Sequence, residues 1–308
     1  MSRRVDPPRG AGDREEENEA MRRRMGGVGW LAWSLGLWGG AGGVGLSPWE
    51  AEAVTAAPVS SPFVYRFHVD GVLDEVGRME ESSSPYWCLN SGGRLIIKNG
   101  IGMTIQGDLP ELDKWRTRYA LTNPLDTDLG AHPQNIFRLV TRSRWEHVVQ
   151  SVSFRVTKLN MSASPERDGW SGILLFNRYL DVDNLYYVGL RQDGTGVIKK
   201  KRYGVYYTLA QTRVFAADVP YERDTTPNLL PGKRWMGLKS VIRTNVDGTV
   251  TLQLLVDRQL TGNWELLLGV LDTNAGADGA PILGDGYAGI RTDFLDVEFD
   301  DFRLERLY

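Results

Sequence analysis

The segment His132-Pro133-Gln134-Asn135-Ile136-Phe137-Arg138 concentrates an imidazole, two amides and a guanidinium at the start of a strand-like run. That set suits proton abstraction beside a carboxylate. A guanidinium and an amide neutralise the acid group and lower the cost of an enolate-like intermediate. An imidazole or a phenol then takes the proton. On this reading His132, Gln134 and Arg138 are candidate catalytic residues. The plainer reading, a histidine that fixes a polar loop, stands beside it. Other chemistry is poorly supplied. His68, His132 and His147 lie far apart, without the short spacings that a zinc site uses. Hydrolysis of a glycosidic bond needs two carboxyl groups at a set separation. Asp296, Glu298, Asp300 and Asp301 offer only alternating and adjacent acids, which a solvated face explains as well. The lone cysteine, Cys88, follows Trp87 in an early strand pattern and reads as a buried apolar thiol.

A second candidate set lies on strands. In the run 185–191, Tyr186, Val188 and Leu190 fall on one face, and Tyr187, Gly189 and Arg191 on the other. With the first set in a core, Tyr187 and Arg191 look outward, flanked by Arg178 and by Lys199 or Lys201 from neighbouring strands. Rings cover the apolar faces of sugars and guanidinium groups grip carboxylates in bidentate fashion, so this face suits an acidic glycan. A solvated sheet with tyrosine–lysine packing across strands is the alternative.

The elements that must position these residues read as strands. From Phe63 onward, short runs recur between Gly, Asn, Asp and Pro, and many alternate. Val152, Phe154 and Val156 share a face, as do Val250, Leu252, Leu254 and Val256. Period two with one wet face belongs to antiparallel sheets. Asp193-Gly194 and Asp247-Gly248 each sit between two such runs and predict tight hairpins. Helical crossovers are missing, so the fold class is all-β, an antiparallel two-sheet jelly-roll sandwich. The exception is 107–134, a polar, proline-bearing segment with one short helix near 112–119; loops this long are usually functional or disordered. The 308 residues, with a formal net charge of −3, allow one large sandwich and argue against a nucleic-acid partner.

The first part of the chain has a different character. Residues 1–20 are charged, lack apolar periodicity and are expected to be disordered, as an over-extended start. Met21, Arg22, Arg23 and Arg24 then precede an uncharged, glycine-rich stretch and the small-residue site Ala51-Glu52-Ala53. This predicts a signal peptide over 21–53, a linker over 54–62 and a single sandwich domain over 63–308, in a secreted, periplasmic or cell-surface protein of bacterial type. A retained anchor is the alternative, and only this export segment would meet a membrane. Asn160-Met161-Ser162 matches a glycosylation acceptor and reads as accidental in a bacterial-type sequence.

The run from Gly172 to Leu209, GILLFNRYLDVDNLYYVGLRQDGTGVIKKKRYGVYYTL, has an apolar strand, an Asp-Asn turn, a tyrosine-rich strand and a lysine-bearing strand closed by Tyr-Thr-Leu. It resembles the concanavalin A-like lectin/glucanase superfamily in its laminin-G-like and polysaccharide-lyase-like branches. GYAGIRTDFLDVEFDDFRL at 286–304 resembles the closing hairpin of that superfamily, and with 235–257 the resemblance covers most of 148–308. It implies the sandwich, but no single activity, because such folds host lectins, glycosidases, lyases and adhesion modules. The Glu-x-Asp-x-x-Glu string of the superfamily's retaining glucanases is absent. Tyr203-Gly204-Val205-Tyr206 resembles the Lys-x-Gly-x-Tyr strand of sandwich alginate lyases and marks Tyr206 as a catalytic candidate, with Tyr203 beside it a candidate ligand contact of the aromatic and basic strands. Arg202 and Tyr203 depart from that pattern, and the family's Arg-x-Glu-Leu and Gln-x-His strings are missing. The resemblance also implies a structural Ca2+ with Asp300 or Asp301 as a ligand; an edge acid without an ion is the alternative. The expectation is a carbohydrate-binding protein for a polysaccharide or glycan, an acidic one included. A lyase cutting a uronate polymer by β-elimination ranks second, with a glycoside hydrolase behind it, and a structural envelope or adhesion protein third.

Overall fold

A computed structural model describes residues 52–216, 218–273 and 279–308. The expectations for 1–20 and for the signal segment up to residue 51 lie outside the described residues. In chain order the elements are β1 (Phe63–Tyr65), β2 (Gly71–Asp74), β3 (Trp87–Ser91), β4 (Arg94–Lys98), β5 (Ile101–Met103), α1 (Lys114–Thr122), β6 (Ile136–Trp145), β7 (Val148–Leu159), β8 (Gly172–Asp181), β9 (Asn184–Arg191), β10 (Thr195–Arg202), β11 (Val205–Arg213), β12 (Met236–Thr244), β13 (Val250–Asp257), β14 (Glu265–Asp272), β15 (Gly286–Asp293) and β16 (Leu295–Arg306).

Among the described residues these strands form two antiparallel sheets. One has nine strands in the order β14-β13-β12-β7-β16-β5-β4-β2, with β1 also on β16; the other has seven, β11-β10-β9-β8-β15-β6-β3. The antiparallel two-sheet sandwich expected from the alternation is the fold observed. Every second side chain closes the core. Val152, Phe154, Leu252 and Leu254 from the larger sheet meet Ile173, Leu175, Val188, Leu190 and Ile290 from the smaller, all nearly free of solvent. Tyr186, Val188 and Leu190 point inward, which turns Tyr187 and Arg191 to the outer face of the seven-stranded sheet. Both Asp-Gly pairs form the expected turns, with Gly194 at φ 79° and Gly248 at φ 81°. A third hairpin turn uses Tyr203 at φ 50° and Gly204 at φ 81°. Residues 54–62 run against the 82–85 loop, where the Val54 and Ala57 amides donate to the carbonyls of Ser82 and Pro85 at 3.0 and 2.9 Å.

The 107–134 segment does carry one helix, α1, capped by the Asp113 carboxylate accepting from the Trp115 amide. Trp115 and Tyr119 bury one side of it with Ile105 and Leu109. Asp113 also accepts two bonds from Arg94 of β4, at 2.9 and 2.8 Å. These contacts place the segment against the β2–β4 part of the nine-stranded sheet. Among the described residues no helix is long and apolar enough to cross a membrane.

Candidate functional site

The chemically rich surface is the outer face of the seven-stranded sheet, and strand register assembles it. Arg138 of β6 lies opposite Arg291 of β15, which lies opposite Leu174 of β8. In the next row Phe176, Tyr187 and Lys199 follow one another across β8, β9 and β10. One row further, Lys201 lies opposite Tyr206 of β11. Leu174, Phe176 and Val197 form an apolar floor on this face, exposed by only 2%, 1% and 0%. Solvent is thus kept from the floor and largely from Tyr187, Lys199 and Arg191, exposed by 8%, 3% and 4%, while Arg138, Arg291, Lys201 and Tyr206 keep part of their surface.

Rings and cations interleave over that floor. Tyr187 and Tyr206 meet edge to face with centroids 5.9 Å apart. The Lys201 ammonium stands 4.7 Å and the Lys199 ammonium 5.8 Å from the Tyr206 ring centre. Lys199 also lies 4.9 Å, and the Arg191 guanidinium 5.5 Å, from the ring of Trp170. Arg291 is held by Asp293 through Nε at 2.9 and 3.0 Å. Burial raises the cost of a Tyr206 phenolate. The charges of Arg291, Lys201 and Arg138, with a hydrogen bond from Arg291, outweigh that cost and hold the phenol below the ordinary tyrosine value. Tyr187 moves the other way, pushed well up by burial and by the charge of Tyr206. The face therefore holds one phenol biased toward ionisation beside one that stays protonated.

The structure brings together Arg138, Tyr187, Arg191, Lys199, Lys201 and Tyr206 from the sequence expectations, and separates the others. His132 lies between two carboxylates, Nδ1 at 2.8 Å from Asp128 and Nε2 at 2.8 Å from Asp108. Its nitrogens face these loop acids, which is the loop-fixing arrangement. Gln134 is buried and donates to the Gly107 carbonyl at 2.9 Å and to Asp296 at 3.0 Å. His132 braces the 107–134 segment internally and Gln134 ties it to β16; neither joins the ring-and-cation cluster.

Arg178 does not flank the cluster. It is 1% exposed and donates to the Ile282 carbonyl and to Thr244 Oγ1, each at 2.7 Å. A bulge in β8 between Asn177 and Asp181 breaks the alternation on which its outward placement relied. Tyr203 is 77% exposed at the β10–β11 turn, with the Arg202 guanidinium 4.5 Å from its ring centre. The Tyr203-Gly204-Val205-Tyr206 string is thus split between a turn and the cluster.

Asp300 and Asp301 sit at a bulge of β16. Asp301 pairs with Arg66 at 3.5 Å, and its amide donates to Asp300 at 2.7 Å. Among the described residues no group of three or more His, Cys, Asp or Glu is placed to hold a metal ion. Glu298 pairs with Arg155 of the neighbouring strand β7 within the nine-stranded sheet, and Asp296 is buried under amide donors. The acids of 296–301 thus form no pair on the cluster's face. Asn160 is 1% exposed, and its amide donates to Asn135 at 3.1 Å and to Asp296 at 2.8 Å, so the acceptor motif is closed to modification in the folded chain.

Sequence reasoning missed Arg291, Asp293 and the placement of Trp170. Alternation held the signal for two of them: Ile290 faces inward, so Arg291 and Asp293 face outward. Trp170 lies on the loop before β8, where no strand period applies.

Solved structures similar to this chain include three sugar-related proteins. Winged bean acidic lectin complexed with methyl-alpha-D-galactose matches at TM-score 0.46 and 12% identity, over 79% of this chain and 97% of that one. A prokaryotic beta-1,3-1,4-glucanase (lichenase) derived from a mouse hindgut metagenome matches at TM-score 0.40 and 11% identity, over 80% of this chain and 100% of that one. A carbohydrate binding module from Bacillus subtilis matches at TM-score 0.38 and 12% identity, over 55% of this chain and 81% of that one. No family model and no curated protein matches the sequence. The cluster on the seven-stranded sheet is therefore read from its own chemistry.

Proposed function

We propose that the outer face of the seven-stranded sheet binds an acidic polysaccharide of an exported, cell-surface or extracellular setting. The observation that carries this reading is the convergence of Arg138, Arg291, Lys199 and Lys201 with Tyr187 and Tyr206 on one face. Carboxylates of a uronate chain meet guanidinium and ammonium donors, and the sugar rings lie on tyrosine and on Trp170. A glycan array followed by calorimetry on acidic and neutral oligosaccharides of equal length tests it. Binding is expected for the acidic set; equal or absent binding across both sets rejects the reading.

The ionisation bias of Tyr206 favours a second reading, β-elimination on the same polymer. Arg138 and Arg291 would neutralise the uronate carboxylate while the Tyr206 phenolate takes the C5 proton. Tyr187, kept protonated, would return a proton to the leaving oxygen. Ultraviolet absorbance of the unsaturated product decides between the two readings. A rising trace that Tyr206→Phe abolishes makes the protein a lyase; a flat trace with binding intact makes it a binding protein. Calcium bound through Asp300 or Asp301 remains part of the proposal, tested by whether a chelator lowers the melting temperature.

A further inference from the structure

Lys200 stands between two lysines of the cluster but points the opposite way. It lies on β10, and its side chain enters the space between the sheets. There its ammonium is 2.9 Å from an Asp272 oxygen, with both side chains 0% exposed. Asp272 ends β14, so the pair joins the seven-stranded sheet to the nine-stranded one. Tyr186 lies directly opposite Lys200 in register and donates its hydroxyl to the other Asp272 oxygen. The Ile282 amide donates to the Tyr186 oxygen at 2.9 Å and orients the phenol. Lys200 Nζ also donates to the Gly279 carbonyl at 2.8 Å. Apolar neighbours close the space: Ile198, Val250 and Ile282 are 0%, 0% and 1% exposed.

A charged pair in such a place has lost its hydration, which disfavours both charged forms. Attack by the nitrogen requires that one proton first pass from the ammonium to the carboxylate, a step that removes both charges from the apolar space. We infer that Lys200 and Asp272 form an intramolecular isopeptide bond, with Tyr186 as the positioning residue on the carbonyl oxygen. Nζ attacks Cγ, and the Tyr186 hydroxyl supports the negative charge that develops on the oxygen it already touches. A proton passes from Nζ to the other oxygen, the C–O bond breaks, and that oxygen leaves as water. One ammonium and one carboxylate become one amide and one water, so no oxidant, cofactor or further reactant enters. Holding the two groups in one geometry replaces the activation that an amide bond otherwise needs. The bond ties β10, which carries Lys199 and Lys201 on its other face, to the edge strand of the opposite sheet. Its formation does not depend on what the outer face binds.

Peptide mass spectrometry on the purified full chain, denatured after folding and digested, tests it. The expected result is a branched species joining the Lys200 and Asp272 peptides, one water lighter than their sum. Recovery of both peptides separate and unmodified overturns the inference. Tyr186→Phe is the second variant, and its folding is checked by circular dichroism. The expected result is a linked fraction several-fold lower at equal incubation time; an unchanged fraction removes Tyr186 from the step. Because the first measurement uses the unaltered protein, its result holds even where the variant fails to fold.

Discussion

At the scale of single residues, the proposal rests on charge meeting charge above an apolar floor. Hydrogen bonds to charged groups contribute about 1.5–3 kcal/mol each, so Arg138→Ala or Arg291→Ala should each weaken acidic-oligosaccharide binding by roughly 10- to 150-fold. Titration calorimetry reads this directly, with neutral oligosaccharides as the control. Asp293→Asn keeps the shape but loosens the hold on Arg291, and a smaller loss, about several-fold, is expected. For the elimination reading, the acid limb of the rate–pH profile should lie below the ordinary tyrosine range, because Arg291, Lys201 and Arg138 hold Tyr206 down against its burial. Cys88 gives a separate test. Burial pushes its thiol from 9.0 up to about 11. A group whose folded value is raised stabilises the fold fully below the unfolded value, and this contribution is lost as pH rises through about 11. Alkylation at pH 8 should therefore be slow in the native protein and rapid in denaturant, while stability to denaturant falls between pH 9 and 11. Fast native alkylation would contradict the buried position.

At the scale of elements, the 107–134 segment is held by its own packing. Gly130 adopts φ +80°, and a Cβ there would lie 2.0 Å from the Arg116 carbonyl oxygen of α1. A left-handed non-glycine residue costs about 1–2 kcal/mol before any clash. Gly130→Ala should therefore lower the melting temperature by several degrees and change Trp115 fluorescence, since Trp115 packs on the same helix. If the segment only ties down the β2–β4 region, glycan binding of the surviving folded fraction should stay unchanged in calorimetry. The short helix was legible from residue types near 112–119, and its observed range, 114–122, begins where the Asp113 carboxylate caps it. The roles of His132 and Gln134 were not legible. Both side chains suit catalysis in isolation, and only the fold of the loop around Asp108 and Asp128, with Asp296 brought from a distant strand, commits them to structural roles.

At the scale of the whole molecule, binding through fixed cations should be screened by salt. Raising ionic strength from 0.01 to 1 M shortens the Debye length from about 30 to about 3 Å, and the proposed affinity should fall steeply across that range. Salt-insensitive binding would shift the proposal toward ring stacking alone. The sequence by itself determined the class of fold. Alternation such as Val152-Phe154-Val156 gives strands like β7 one buried face, and Asp-Gly turns reverse the chain, so two antiparallel layers follow from local chemistry. The same alternation determined which side of β9 carries Tyr187 and Arg191, because side-chain direction has a fixed period of two. Arg178 escaped this logic, since a bulge resets the period and sequence does not announce it. Only the packed fold decides that Arg138 and Arg291 join Tyr187 and Tyr206, because β6 and β15 are far apart in the chain and flank a run of consecutive strands, β8 to β11, that neither adjoins in sequence. It likewise decided that Lys200 meets Asp272. Register across a sheet and contact between sheets depend on how whole layers pack, a collective property that no local run of residues contains.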